Sequence, residues 1–347
     1  MIDLVLNQVI LDKHKEFILG ENKKDEKRLY KKLEKAVTDA RSKKVQSILS
    51  FIIKNMGNIA IGDVFELEKI RGDFDGFLET LPPDKGKKKS KEKQELYERL
   101  EIFKKEYIYF YDSPKWNAYE FQKELGITIC PYCNSQFIFI YESDSGRTRA
   151  VLDHFFDKGT YPFLAISIYN LVPCCKVCNS DFKGRENVTL KTHYSPYERD
   201  ISQYFRFTKE IFADSIKEIS TMEGQNSNEC IDFVSIILGY KNDFNIKLDT
   251  IGATEEVKIK IKGNDELFHI EKLYNKFHKQ YVQDIILKSH IYNYTYRQQL
   301  CSAYKVFFNN PQELREALMP SIEDDKKTIL GKLTREIIEE ETKHFMI

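Results

Sequence analysis

The chain has 347 residues, 41% of them hydrophobic, with 24 Phe, 20 Tyr, and 54 Lys+Arg set against 54 Asp+Glu. Such a chain can bury a sizeable core over two or three domains, and its zero net charge excludes a surface that coats nucleic acid along its whole length. Seven cysteines, an odd number with four in Cys-x-x-Cys pairs, exclude a simple disulfide framework and fit a reducing compartment.

In chain order, the start lacks a basic leader and is broken by Asp3, Asp12 and Lys13, which is not a signal-peptide pattern. Residues 1–118 read as mostly helical, since Leu29, Leu33, Val37 and then Val45, Ile48, Ile52 recur at helical spacing among many charges. Pro82-Pro83 closes that block. In the following ten residues, 84–93, six lysines face only Asp84 and Glu92, so the stretch cannot nucleate a core and reads as an exposed loop or helix start.

From residue 119 to about 200 the composition shifts to aromatics, cysteines and turn residues. The run Phe137-Ile138-Phe139-Ile140-Tyr141 predicts a strand, Ser143-Asp144-Ser145-Gly146 a turn, and residues 149–152 a second strand. Two pairs, Cys130/Cys133 and Cys175/Cys178, have 41 residues between them. Each presents two thiolates from one turn, and together they complete a closed tetrahedral Zn2+ site with no open position for catalysis. Cys174 adjoins the second pair, but only Cys175 leaves the two-residue gap to Cys178, so Cys174 reads as a packed thiol. Cys230 and Cys301 read as core thiols. Pro173 suits the start of a helix carrying Cys178, Asn179 and Lys183, and knuckle, hairpin, then knuckle on a helix is a treble-clef plan.

Residues 201–347 return to charged helix. There Leu267, Ile270, Tyr274, Phe277, Tyr281 and Ile285 predict one apolar stripe, and Asn310-Pro311-Gln312-Glu313 predicts a helix N-terminus. The longest nearly apolar tract, 163–175, is too short to span a bilayer. The expectation is an α+β protein of three regions, 1–118, 119–200 and 201–347, soluble and cytoplasmic.

The series Cys-Pro-Tyr-Cys-Asn (130–134), Leu-Asp-His-Phe (152–155), Tyr-Pro-Phe-Leu-Ala (161–165), Asn-Leu-Val-Pro (170–173) and Cys-Lys-Val-Cys-Asn (175–179) with Lys183 resembles the HNH endonucleases. More narrowly it is similar to the PtuB-type HNH effectors of Septu and retron-associated anti-phage systems. The resemblance covers about residues 119–200, with a weaker echo in 268–281. Asp157-Lys158 departs from it, because proline is expected before that lysine.

The resemblance implies a zinc-braced ββα-metal core and a phosphodiester hydrolase acting on DNA or RNA. His154 would be the general base that deprotonates the attacking water, a task for a side chain titrating near neutrality. Asp153 and Asn179 would hold a catalytic Mg2+ or Mn2+ through oxygen, Asn170 would tie the loop orienting His154, and Lys183, four residues beyond Asn179, would reach a phosphate. Neighbours on a regular strand face opposite ways, so Asp153 and His154 can share one site only where the strand bends or ends. His193, His269, His278 and His290 have no such partners and read as structural or exposed.

A noncatalytic zinc-binding adaptor of a defence complex is the alternative, although an adaptor has no use for the trio Asp153, His154 and Asn179. Residues 119–200 carry nine basic and ten acidic side chains, too neutral to hold a duplex by phosphate neutralisation alone. Help is therefore expected from the flanks, through the lysines at 84–93 and docking of the ATPase partner that the resemblance implies, from another subunit, or from a shaped substrate such as folded RNA.

Overall fold

The computed structural model describes the chain apart from residues 21–25, 87, 212–215, 218–229, 232, 242 and 344–347. Contacts divide it into two compact units. One comprises Asp3–Tyr132 and Gln136–Arg199; the other comprises Met1–Ile2, Cys133–Ser135 and Asp200–Ile347. The expected regions 1–118 and 119–200 thus fall largely in one unit, with the tip of the first knuckle assigned to the other.

Among the described residues of the first unit seven helices precede the cysteine-rich module: α1 (Gln8–Leu19), α2 (Glu26–Thr38), α3 (Lys43–Lys54), α4 (Met56–Ile61), α5 (Val64–Thr80), α6 (Lys91–Tyr111) and α7 (Ala118–Leu125). The helical spacing seen in the sequence becomes a core. Leu29 and Leu33 of α2 and Val45, Ile48, Leu49 and Ile52 of α3 are buried, each contributing about 1.5–3 kcal/mol by leaving water. The start of α5 is fixed by a capping box: Asp63 Oδ1 accepts from Phe65 N and Glu66 N, while Glu66 Oε2 accepts from Asp63 N. Between Pro82-Pro83 and α6, Lys85 and Lys88 form a short bridge and Ser90 caps the helix, so the lysine run is an exposed turn leading into a helix. Lys87 and the side chain of Cys230 lie outside the described residues.

The module follows with β1 (Tyr141–Ser143) and β2 (Gly146–Thr148), which pair antiparallel around the expected turn. The strands lie closer to the turn than the expected 137–141 and 149–152, of which only Tyr141 falls in the hairpin. Phe137 makes only a single bridge to Ile129, and Phe137 and Phe139 are exposed, so this apolar run has no second sheet to cover it. The pairing at the heart of the module is instead β3 (Val151–His154) with β4 (Leu171–Cys174), in the register Asp153↔Val172 and His154↔Leu171. Pro173 thus lies within a strand rather than starting a helix. The helix comes next, as a π-helix over Val177–Lys183 stopped by Gly184 at φ +52°, a conformation that suits glycine.

The second unit pairs β5 (Arg206–Ile211) with β8 (Phe244–Asp249), and the short β6 (Ile216–Lys217) with β7 (Cys230–Ile231). Around them stand α8 (Ile201–Tyr204), α9 (Phe233–Ile237), α10 (Glu255–Phe268), α11 (Ile270–Phe277), α12 (Lys279–Ile291), α13 (Tyr294–Ala303), α14 (Pro311–Leu318) and α15 (Gly331–Thr342). The single stripe expected from Leu267 to Ile285 is broken. His269, at φ +51°, ends α10 and restarts the chain as α11, and a second break at His278 rotates the phase again. Ile270, Tyr274 and Ile285 are buried while Phe277 is exposed. Asn310 caps α14 as expected, its Oδ1 accepting from Gln312 N and Glu313 N with Pro311 in the first turn. Helices with small antiparallel sheets make this an α+β chain. Among the described residues no helix is long and apolar enough to cross a membrane.

Candidate metal centre and the histidine strand

The first knuckle is closed by two hydrogen bonds, Cys130 N to Gln136 O (2.9 Å) and Ile138 N to Thr128 O (2.8 Å), and turned by Asn134 at φ +51°. The left-handed conformation costs least for asparagine among residues with a side chain. Its tip is held within the second unit: Tyr274 Oη donates to Cys133 O (2.5 Å), Asn134 Nδ2 to Asp325 O (3.0 Å), and Leu330 N to Asn134 O (2.8 Å). The second pair sits where β4 runs into the π-helix, with Cys178 N donating to Cys175 Sγ at 3.4 Å.

All four sulfurs of Cys130, Cys133, Cys175 and Cys178 are buried and lie within 4.8 Å of one another. Four thiolates around a tetrahedral ion with bonds of about 2.3 Å stand roughly 3.8 Å apart, so this set fits structural Zn2+ by ligand type, number and spacing. It is the only group of three or more His, Cys, Asp or Glu among the described residues that could hold a metal. Cys174 is outside it: fully buried opposite Val151, its thiol is pushed well above the usual range by burial.

Asp153 and His154 end β3, the geometry that sharing one site requires, yet both are buried and their side chains meet different partners. The Asp153 carboxylate accepts from Tyr132 Oη (2.6 Å) at Oδ2 and from Lys183 Nζ (3.1 Å) at Oδ1. His154 Nε2 lies 3.1 Å from Ala165 O, so this nitrogen carries the proton and donates, leaving Nδ1 as an acceptor. Its ring meets Tyr107 edge to face with centroids 4.6 Å apart. Burial lowers its pKa well below the usual value, with the positive charges of Lys158 and Lys183 acting the same way, so the imidazole is neutral near pH 7.

Asn170 is fully buried and joins three segments. Its Oδ1 accepts from Phe156 N (2.7 Å), and its Nδ2 donates to Phe156 O (3.1 Å) and Leu164 O (2.9 Å). Phe155 N also donates to Asn170 O (3.0 Å). The chain leaving His154 is thereby tied to the 3-10 turn Pro162–Ile166 that supplies Ala165 O, the loop-orienting task expected of Asn170.

Lys183 departs from expectation. The Asn179 side chain is half-buried and its Nδ2 donates to Ser180 Oγ (3.1 Å). Lys183 is 2% exposed and bonds Asp153 Oδ1 and His154 O (2.7 Å), so it is a buried counterion rather than a free phosphate contact. The physical reason is that an ammonium drawn under β3 by the π-helix must be paired to remain charged there. Lys183 thus bonds one of the Asp153 oxygens that were expected to hold Mg2+ or Mn2+. Tyr132 and Tyr107 were not singled out by spacing. The only sequence signal for Tyr132 is its place between the two ligands of the first knuckle.

No protein-family model, no curated protein and no solved structure matches the chain.

Proposed function

We propose that the chain is an HNH-type endonuclease that hydrolyses phosphodiester bonds of nucleic acid, with the zinc acting only as a brace. The observation that carries this reading is the placement of His154: at the end of a strand, with its Nε2–H donated to Ala165 O, which fixes the tautomer and leaves Nδ1 as the ring's proton acceptor. A general base must be unprotonated at working pH and held in one tautomer, and such a group contributes roughly 10²–10⁴-fold to rate. Asn170 and the four cysteines support the reading as positioning elements, since they fix the two segments on either side of that imidazole.

The hard cation implied by the resemblance would need the oxygens of Asp153, which hold Lys183 and Tyr132 here. That saturated carboxylate is also the observation favouring the second reading, a zinc-braced adaptor in which the Asp153–Lys183 pair is only structural. A defence role and an ATPase partner rest on the resemblance alone.

Incubating the purified chain with supercoiled plasmid, single-stranded DNA and total tRNA, each with Mg2+, Mn2+ or EDTA, tests the nuclease reading. Cleavage of one class that EDTA abolishes supports it. Intact substrate in every arm, with and without the partner ATPase, supports the adaptor.

A further inference from the structure

The second unit contains a cavity of about 360 Å3, within the range that takes a small organic ligand. α12 contributes Tyr281, Asp284 and Lys288, with Tyr292 just beyond it, while α13 contributes Arg297 and α14 Arg315. Ile285 and Ile338 supply apolar wall, and Tyr281 is fixed by a 2.7 Å hydrogen bond to Thr334 Oγ1.

Its charge is unbalanced. Among the described residues its lining carries three cationic side chains and one carboxylate, that of Asp284. Arg297 is 9% exposed, its buried Nε has no hydrogen-bond partner, and among the described residues no carboxylate lies within ion-pair distance of its guanidinium. Burial and the neighbouring Arg315 both disfavour its charge. A guanidinium offers five donors in a planar fork that matches phosphate or carboxylate, and burying one beside another cation is unfavourable unless an anion joins them. Tyr281 and Tyr292 remain partly exposed at the same cavity, where an aromatic ring can stack.

We propose that this cavity is a binding site for a small phosphate-bearing ligand of mononucleotide size, its phosphate held between Arg297, Arg315 and Lys288 and its ring against Tyr281 and Tyr292. The site lies wholly in the second unit and uses none of the residues assigned to hydrolysis.

Isothermal titration of the full-length chain with adenosine 5′-monophosphate, guanosine 5′-monophosphate and inorganic phosphate tests this. At least one nucleotide is expected to bind more tightly than phosphate, with Arg297→Met weakening it by roughly tenfold or more, the usual effect of losing a charged hydrogen bond. Because Arg297→Met removes a buried, poorly compensated charge, the ligand-free variant should melt no lower than the wild type. Lys288→Gln, at an exposed position, should fold normally and weaken binding several-fold. The proposal is overturned if neither nucleotide binds at millimolar concentration, if phosphate binds as tightly as both, or if Arg297→Met and Lys288→Gln bind like the wild type.

Discussion

Lys183 Nζ lies 3.1 Å from Asp153 Oδ1, with both side chains almost completely withdrawn from solvent. The same ammonium donates to the carbonyl of His154, so one lysine from the π-helix is bonded to both residues at the end of β3. Tyr132, from the first cysteine knuckle, closes the other oxygen of the carboxylate. The two knuckles and the strand they flank are thus joined by hydrogen bonds to Asp153 and His154 as well as by any metal.

Breaking that pair from one side should be costly. Lys183→Met leaves a buried carboxylate with only Tyr132 as donor, and the loss of one partner of a buried pair costs about 3–5 kcal/mol. The double variant Asp153→Asn, Lys183→Met removes both charges and should recover a large part of that loss. Urea unfolding of the two single variants and the double measures the coupling; additive losses would show that the pair is not energetically linked.

The zinc assignment separates two adjacent thiols. Cys175→Ser should lose the metal and unfold the module, since structural zinc contributes on the order of 10 kcal/mol to units of this kind. Cys174→Ser, outside the four-sulfur cluster, should retain one zinc per chain. Elemental analysis of both variants checks this, and a zinc-free Cys174→Ser would reverse the ligand assignment.

His14 gives a stability test independent of the metal. It is fully buried, with Nε2 2.7 Å from Ile166 O and Nδ1 accepting from Trp116 Nε1 at 3.1 Å, and burial lowers its pKa to about 4. Because the folded value lies below the unfolded value of about 6.5, the unfolded chain binds the proton more readily in that window. The contribution of neutral His14 is complete above about pH 6.5 and falls as the pH drops toward 4, by about 3 kcal/mol in all. Stability measured against pH should fall less steeply between pH 6.5 and 4 in His14→Gln than in the wild type; parallel curves would contradict the assignment.

The parts of the site that were legible in the sequence are those fixed by local chain geometry. A Cys-x-x-Cys turn brings its own two sulfurs together, so the pairs, the exclusion of Cys174 and the cap at Asn310 could all be read from spacing. Asn170 was legible through the resemblance. What could not be read depends on non-local pairing. The apolar run 137–141 has the composition of a strand, yet it pairs only through the Phe137 bridge and at Tyr141 in β1, whereas the shorter Val151–His154 gains its partner from β4. Lys183 has the spacing of a surface helix lysine, and only the π-helical turn beneath β3 converts it into the counterion of Asp153. The breaks at His269 and His278 likewise leave the apolar spacing intact while changing which residues it buries.

The most direct test of the hydrolytic account compares wild type and His154→Ala for cleavage under single-turnover conditions, on whichever nucleic acid the wild type cuts. The account expects the variant to keep its zinc and its substrate binding while cleavage falls by roughly 10²–10⁴-fold. Undiminished cleavage by zinc-loaded His154→Ala would contradict it and move the active site elsewhere.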